Sequence, residues 1–261
     1  MRTYLDKILI AHRERAAADR RDPARLVQEA LTCAPTRGFA EALKARPEVA
    51  VIAEIKRRSP SKGILAPDLE PALVAKAYVA GGATCLSVLT DEEFFGGSPA
   101  DLAEARAAVE LPVLRKDFTV SVADVCDARI MGADAVLLIV AALSPSELGD
   151  LLGTARRIGL DALVEVHDEA EAEIALAAGA EMIGVNQRDL VSFAVDTERA
   201  ARVGACLPRR AVRVAESGVR TRDDVQRLAA AGFDAVLVGE ALVTAPDAEA
   251  AVASLCALGA P

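Results

Sequence analysis

Short apolar runs recur along the chain from residue 49, and a longer alanine-rich segment of helical pattern follows most of them. The runs are apolar throughout rather than alternating, which is typical of strands buried on both faces of a parallel sheet. The pattern predicts eight strands, over residues 49–56, 85–90, 112–118, 135–140, 161–166, 182–186, 211–217 and 235–239. Eight strands that alternate with helices predict a closed α/β fold, the (β/α)8 TIM barrel.

A short repeat supports the closed barrel. Glycine and a small residue, often followed by an acid, separate a helical segment from a strand in AGGATCLSVL, MGADAVLLIV, AGAEMIGVN and AGFDAVLVG. The glycine ends the helix, and the next few residues turn into the strand. This unit precedes strands two, four, six and eight. The alternative is a doubly wound open sheet, but such a sheet usually carries a glycine-rich first turn, and none is visible here.

The first 48 residues carry helical patterns of their own, over residues 5–20, 22–33 and 39–45. A segment of this length is too short to hold a good core alone, so we expect an N-terminal helical extension (residues 1–48) packed on the barrel. The barrel then spans residues 49–261, and the chain ends in a predicted helix over residues 248–259. The sequence predicts one domain overall.

Composition narrows the class of protein. A hydrophobic content of 52% is ample for a large core, and a net charge of −9 argues against a nucleic-acid binder while leaving room for a local basic pocket. Five scattered cysteines without CxxC spacing are typical of a reducing compartment. The two histidines, His12 and His167, lie far apart and predict no His-rich metal site. Because the N-terminal segment is charged and no apolar run reaches membrane-spanning length, we expect a cytoplasmic protein that does not bind membranes.

Two opposite charges stand inside the first apolar run. Glu54 and Lys56 are two residues apart, so on a strand their side chains share one face. Burying two charges is costly unless they pair or act, and this pair therefore indicates a site. The alternative is an amphipathic strand from which Lys56 merely reaches solvent. The following RRSPSKG is polar and predicts a loop.

Further polar residues stand where the other predicted strands end. In a TIM barrel these ends converge on the catalytic face. Structural alternatives exist for each, such as an ion pair between Lys116 and Asp117 or a turn capped by Asn186. Their number favours an active site. They are Lys116, Glu165, Asn186, Glu216 and Ser217.

The loops after strands seven and eight indicate a phosphate site. Gly218 and Gly239 allow close approach of the backbone, and Ser217 adds a hydroxyl donor. The alternative is that Gly239 only turns the chain. Glu240 fits this interpretation if its main-chain N–H binds the phosphate and its carboxylate points away.

Taken together, the motifs resemble those of the indole-3-glycerol phosphate synthase family, in order and from about Leu5 to Val252. They are AEIKRRSPSKG, SVLTDEEFFGGS, LRKDF, ADAVLLIV, LVEVH, IGVNQRDL, VAESGV and AVLVGEAL. The resemblance implies a lyase of tryptophan biosynthesis with neither a metal nor an organic cofactor. Its substrate would be the phosphorylated, anthranilate-derived 1-(2-carboxyphenylamino)-1-deoxyribulose 5-phosphate, closed to indole-3-glycerol phosphate with loss of carbon dioxide and water.

The resemblance also implies roles for individual residues. Lys116 matches the general acid of ring closure, and Glu165 matches the general base. Lys56 matches a residue that binds anionic groups of the substrate, and Glu54 either pairs with it or moves a proton. Asn186 counts with these four as catalytic, orienting the substrate.

A larger set matches positions that bind the substrate or its phosphate. Two departures from the family are Asp91, where many members have glutamate, and Glu240, where some have a small residue or serine. The latter means that a side-chain phosphate contact cannot be assigned to Glu240. The expected substrate-binding residues are Ser59, Pro60, Phe95, Phe118, Leu137, Ile139, Arg188, Leu190, Glu216 and Leu237, and the phosphate-binding residues are Ser217, Gly218, Gly239 and Glu240.

Two other functions remain open at this stage. A different phosphate-binding barrel, such as an isomerase or an aldolase, is the first, and an aldolase would use Lys116 or Lys56 as a Schiff-base nucleophile. A catalytically inactive relative that binds a phosphorylated ligand or a partner is the second. Whichever function is correct, we expect the protein to be a monomer.

Overall fold

The computed structural model describes residues 3–256 and contains a closed barrel of eight parallel strands. Strand one pairs with both strand two and strand eight, with Ala53 opposite Leu86 and Val238, and this pairing closes the barrel. The predicted (β/α)8 barrel is confirmed, and each strand lies within its predicted run. Strands one to eight are Ala50–Ile55, Cys85–Leu89, Val113–Lys116, Ala135–Ile139, Asp161–Val166, Met182–Asn186, Val212–Glu216 and Ala235–Val238.

The strands are apolar because they have no solvent-facing side. Every residue of strand one is buried, as is every residue of strands two, four, six and eight. One face of each strand fills the barrel interior and the other packs against the surrounding helices. The described helices are Tyr4–Ala18, Pro23–Thr32, Phe39–Lys44, Pro71–Ala80, Glu92–Phe95, Pro99–Ala108, Val122–Ile130, Pro145–Arg157, Glu169–Ala177, Arg199–Gly204, Arg222–Ala230, Glu240–Val243 and Ala248–Cys256.

Local sequence signals set where these helices begin and end. The hydroxyl of Ser121 accepts the backbone N–H of Asp124, and the carboxylate of Asp168 accepts that of Glu171, so both helix starts are capped. Glycines of the repeated unit lie just past the ends of four helices, all with positive φ, where a side chain would be strained. They are Gly82, Gly132, Gly179 and Gly232.

The N-terminal segment is joined to the barrel by partly buried polar contacts. The guanidinium of Arg37 donates to the carbonyls of Val109 and Leu111 at 2.8 and 2.9 Å. The Arg129 guanidinium donates in the opposite direction, to the Ala34 carbonyl at 2.5 Å. These bonds hold the segment before strand one against the barrel wall.

Two loops on the catalytic side contain structure that the sequence did not predict. The loop after strand one forms a small hairpin, in which Arg58–Ser59 pairs with Gly63–Ile64. The loop after strand two contains the one-turn helix Glu92–Phe95. The last predicted helix is observed over Ala248–Cys256, and its predicted continuation over residues 257–259 lies outside the described residues. Within residues 3–256, no helix combines the length and apolar character needed to cross a bilayer.

Candidate active site

A cavity of about 570 Å³ opens at the carboxyl ends of the strands. Strand ends and the loops that follow them form its wall, as the topology requires. Every site residue expected from the sequence lines this cavity. These residues are Glu54, Lys56, Ser59, Pro60, Phe95, Lys116, Phe118, Leu137, Ile139, Glu165, Asn186, Arg188, Leu190, Glu216, Ser217, Gly218, Leu237, Gly239 and Glu240.

The two charges of strand one form an ion pair. Lys56 Nζ lies 2.5 Å from Glu54 Oε1, and Glu54 is 4% exposed. Gly239 at the end of strand eight makes room for this pair. A Cβ at Gly239 would stand 2.2 Å from Glu54 Oε1 and 2.9 Å from Lys56 Nζ. A side chain at this position would therefore displace the ends of Glu54 and Lys56, a role for glycine beyond turning the chain.

Lys116 lies between two carboxylates at the centre of the cavity floor. Its Nζ is 3.0 Å from Glu165 Oε2 and 3.2 Å from Glu216 Oε2. Burial alone would lower the pKa of Lys116, but Glu165, Glu216 and Glu54 outweigh burial and hold this pKa above its usual value. Lys116 is thus a fully protonated ammonium at neutral pH. The alternative partner, Asp117, is bound instead by Arg115 at 3.0 Å.

The two carboxylates on Lys116 differ in ionisation. Burial would raise the pKa of Glu165, but Lys116, His167 and hydrogen bonds bring it below its usual range. Burial raises the pKa of Glu216 to about 8. The negative charge of Glu165 also raises this pKa, and the positive charge of Lys116 lowers it. Glu216 Oε1 has no hydrogen-bond partner within the described chain, which suits a carboxyl that carries the proton. The surroundings therefore favour the ionised form of Glu165 and the protonated form of Glu216.

Asn186 connects strand six to this cluster. Its side-chain amide donates to Glu165 Oε1 at 3.1 Å, and its Oδ1 accepts the backbone N–H of Arg188 at 3.0 Å. Gly184 on the same strand makes room for Glu216, because a Cβ there would stand 2.1 Å from Glu216 Oε1. Gly184 was not among the residues expected at the site. Its place inside a buried strand is the sequence signal for a close approach at this position.

The loop after strand seven has an unusual backbone. Ser217 and Gly218 both have positive φ, of 64° and 79°, and such a conformation is strained for serine. The side chain of Gln187 donates to the Ser217 carbonyl at 2.7 Å and helps to hold this conformation. Strain that the surrounding structure maintains is characteristic of functional loops.

The Glu240 carboxylate is paired with two arginines that line the same cavity, and binding of the phosphate by its main-chain N–H stays a prediction. Its two oxygens lie 3.7 Å from Arg188 and 3.7 Å from Arg220. Two guanidinium groups therefore offset its negative charge beside the predicted phosphate loops. Arg220, which also lines the cavity, was not among the expected site residues.

Apolar side chains form another part of the cavity lining. The rings of Phe95 and Phe118 are 6.4 Å apart at an interplanar angle of 34°. Such a wall suits a flat aromatic ligand. Leu137, Ile139 and Leu237 extend it along the strand ends.

A buried polar cluster joins the first helix to this wall. His12 Nε2 lies 2.8 Å from Asp91 Oδ2 and 3.8 Å from Asp117 Oδ1. Thr90 and Arg115 also bind Asp117, at 2.5 and 3.0 Å. Sequence reasoning missed this cluster, because His12 and its partners are about 80 and 105 positions apart.

Among residues 3–256, these three side chains have the spacing of metal ligands. The candidate ligand atoms of His12, Asp91 and Asp117 lie within 4.8 Å of one another. Both carboxylates already accept hydrogen bonds, so the arrangement is satisfied as a structural cluster. The expectation of a metal-free enzyme stays a prediction.

The fold and the cavity are those of a (β/α)8-barrel enzyme. Paired acids and ammonium groups line the cavity at the carboxyl ends of its strands. A family model for indole-3-glycerol phosphate synthase matches residues 5–255. The chain belongs to the indole-3-glycerol phosphate synthase family, a family of lyases.

Individual relatives agree with the family model. "Indole-3-glycerol phosphate synthase 2" of Streptomyces coelicolor is 55% identical, over 87% of this chain and 88% of that protein. The indole-3-glycerol phosphate synthases of Chlorobium phaeovibrioides and Beutenbergia cavernae are 48% and 49% identical, covering 92% and 99% of this chain and 94% and 96% of theirs.

A solved structure supports the fold alone. Thiamine phosphate pyrophosphorylase from Pyrococcus furiosus has a TM-score of 0.59 over 80% of this chain and 93% of that chain, with 18% identity.

Proposed function

We propose that this cavity carries out the family's decarboxylating, dehydrating ring closure, with Lys116 as general acid and Glu165 as general base. The observation that supports these roles best is the position of Lys116 between Glu165 and Glu216, 3.0 and 3.2 Å from their carboxylates, inside the cavity. Lys116 is held protonated, chiefly by Glu165, and can therefore donate a proton. An ionised carboxylate beside it is ready to accept a proton.

The reaction would run in two stages. Lys116 donates a proton to the substrate's ketone oxygen as the ring carbon that bears the carboxylate attacks the ketone carbon, and carbon dioxide then leaves. The new hydroxyl next departs as water with a proton from an acid of the cluster, while Glu165 takes the proton that must leave the ring system. Lys56, 2.5 Å from Glu54, would hold the substrate's carboxylate, so its positive charge favours the reactive geometry.

The phosphate would bind at the loops after strands seven and eight. Ser217, Gly218, Gly239 and the main chain of Glu240 line one side of the cavity, and Ser59 of the hairpin faces the same space. Arg188 and Arg220 give this side positive charge that outweighs the single charge of Glu240. The apolar wall of Phe95, Phe118, Leu137, Ile139, Leu237, Pro60 and Leu190 would take the aromatic ring.

The charges around Lys116 weigh against an aldolase. A Schiff-base lysine must lose its proton to attack a carbonyl, and carboxylates beside Lys116 raise its pKa instead. Borohydride reduction in the presence of a keto-phosphate would trap a covalent adduct on an aldolase. We expect no adduct on this protein.

The function is tested by incubating the purified protein with the carboxyphenylamino ribulose phosphate and measuring two products. We expect indole fluorescence and carbon dioxide to appear in equal amounts. Ligand binding without either product would support the inactive-relative alternative, and isomerisation without carbon dioxide would support a different barrel enzyme.

We further propose a monomeric, cytoplasmic enzyme with residues 1–48 packed on a barrel of residues 49–261, acting on a small molecule without nucleic-acid or membrane partners. The net charge of −9 supports the absence of a nucleic-acid partner. Light scattering on the purified chain should give a mass near 27.2 kDa. A mass twice as large would contradict the monomer.

A further inference from the structure

His167 lies just behind Glu165, outside the residues that line the cavity. Its ring is held by Glu171, whose Oε2 lies 3.1 Å from Nδ1 and also accepts the His167 backbone N–H at 2.7 Å. The other ring nitrogen, Nε2, is buried without a hydrogen-bond partner and lies 3.5 Å from Glu165 Oε1. The imidazole therefore stands between two carboxylates.

This arrangement favours one protonation state of the ring. A neutral imidazole has a single N–H, so if Nδ1–H points at Glu171, the lone pair of Nε2 faces the Glu165 carboxylate. A protonated ring presents a donor to each carboxylate. Burial alone would lower the pKa of His167, but the hydrogen bond to Glu171 and the charge of Glu165 raise it.

The Glu165 carboxylate is thereby bordered by three donors from different parts of the barrel. Lys116 binds Oε2 at 3.0 Å, Asn186 binds Oε1 at 3.1 Å, and His167 approaches Oε1 from behind. We propose that His167 is a positioning residue for Glu165, a protonated imidazole, anchored by Glu171, that keeps Glu165 oriented and ionised. This inference rests on the proposed function, which makes Glu165 the base.

The role becomes important when Lys116 gives up its proton. At that moment Glu165 loses the cation on Oε2, and the imidazolium is the charge that remains beside it. The other acids near the ring are Glu171 on the next helix and Glu216 on strand seven. The carboxylates at its two nitrogens, Glu171 and Glu165, favour a protonated ring.

The first test measures the ring directly and needs no turnover. The chain has two histidines, so labelled histidine gives two NMR titrations, which His12→Gln assigns. We expect His167 to titrate above the usual value for histidine, and Glu165→Gln and Glu171→Gln each to lower its pKa by about one unit, the scale of an adjacent opposite charge. Glu169→Gln, on the same helix but paired with Arg202 at the surface, is the control and should shift nothing. An unchanged His167 titration in Glu165→Gln would overturn the proposal.

The second test asks whether the contact matters for turnover. In His167→Gln, Glu165 loses a neighbouring cation, so the acid limb of the kcat profile should move up by about one pH unit while KM changes less. A profile of unchanged shape in a folded His167→Gln protein would also overturn the positioning role. The two failures are separable: if Glu165→Gln keeps full turnover but still shifts the His167 titration, the base assignment under the proposed function is wrong and the His167–Glu165 contact stands.

Discussion

At the scale of single residues, the cavity depends on carboxylates with different environments. Glu54 is paired by Lys56, Glu165 is surrounded by donors, and Glu216 has an oxygen without a partner. The same side-chain chemistry thus gives an ion-pair partner, a carboxylate with a lowered pKa and a carboxyl with a raised pKa. Environment, rather than residue type, assigns these roles.

Glu216 should make stability depend on pH. Its pKa is raised to about 8 in the folded protein, so the folded state binds its proton more tightly than the unfolded chain does. Its contribution to stability is full below the ordinary glutamate pKa and is lost as the pH rises to about 8. Glu216→Gln cannot ionise, so we expect it to raise Tm relative to wild type by several degrees more at pH 9 than at pH 5. Thermal unfolding at both pH values measures this, with exposed Glu173→Gln as control, and equal effects at the two pH values would count against the raised pKa.

At the scale of elements, the charged residues Glu54, Lys116, Glu165 and Glu216 lie at or near the ends of strands, and glycines give them space. Gly239 and Gly184 stand against Glu54 and Glu216 respectively. The first helix (Tyr4–Ala18) reaches the same region from outside the barrel, through His12.

Gly239→Ala should damage the site by displacing the charged pair beside it. The added Cβ would stand 2.2 Å from Glu54 Oε1, so the Glu54–Lys56 pair must move. We expect kcat/KM to fall about tenfold or more, the scale of a misplaced catalytic group. Gly153→Ala is the matched control, because nothing lies within 4 Å of its Cβ and alanine favours the helix. Equal activity in the two variants would show that the space at Gly239 is not needed.

His12→Ala should loosen the first helix from the barrel. It leaves the buried carboxylate of Asp91 without its 2.8 Å partner, which should cost about 2 kcal/mol of unfolding free energy. Lys7→Ala, at an exposed position of the same helix, should cost little. Chemical denaturation compares the two, and a His12→Ala protein as stable as Lys7→Ala would mean that the cluster does not anchor the helix.

At the scale of the whole molecule, the barrel and the N-terminal segment share partly buried contacts, of which those of Arg37 and Arg129 are examples. We therefore expect one cooperative unfolding transition, with circular dichroism and tyrosine fluorescence giving the same midpoint. Tyr4 begins the first helix and Tyr78 is buried in the barrel wall, so the fluorescence reports on both parts. Separate transitions would show that residues 1–48 fold independently.

Much of this architecture is predictable from the sequence because it depends on local signals. Apolar runs mark the eight strands, and glycines at helix ends mark the turns into them. Long-range contacts are different: nothing near His12 in the sequence points to Asp91 or Asp117. The environment of Glu216 is equally hidden, because its proton depends on Lys116 and Glu165, which come from other strands.

We propose that Lys116 donates a proton in ring closure. The most direct test of this role compares the kcat of Lys116→Gln with that of Lys76→Gln. Lys76 is exposed on the helix Pro71–Ala80, away from the cavity. If both variants are folded, we expect kcat to fall at least about 100-fold in Lys116→Gln, because a general acid usually contributes this much. We expect no change in kcat for Lys76→Gln. A Lys116→Gln enzyme that turns over within about threefold of wild type, far less than a general acid contributes, would contradict this role for Lys116.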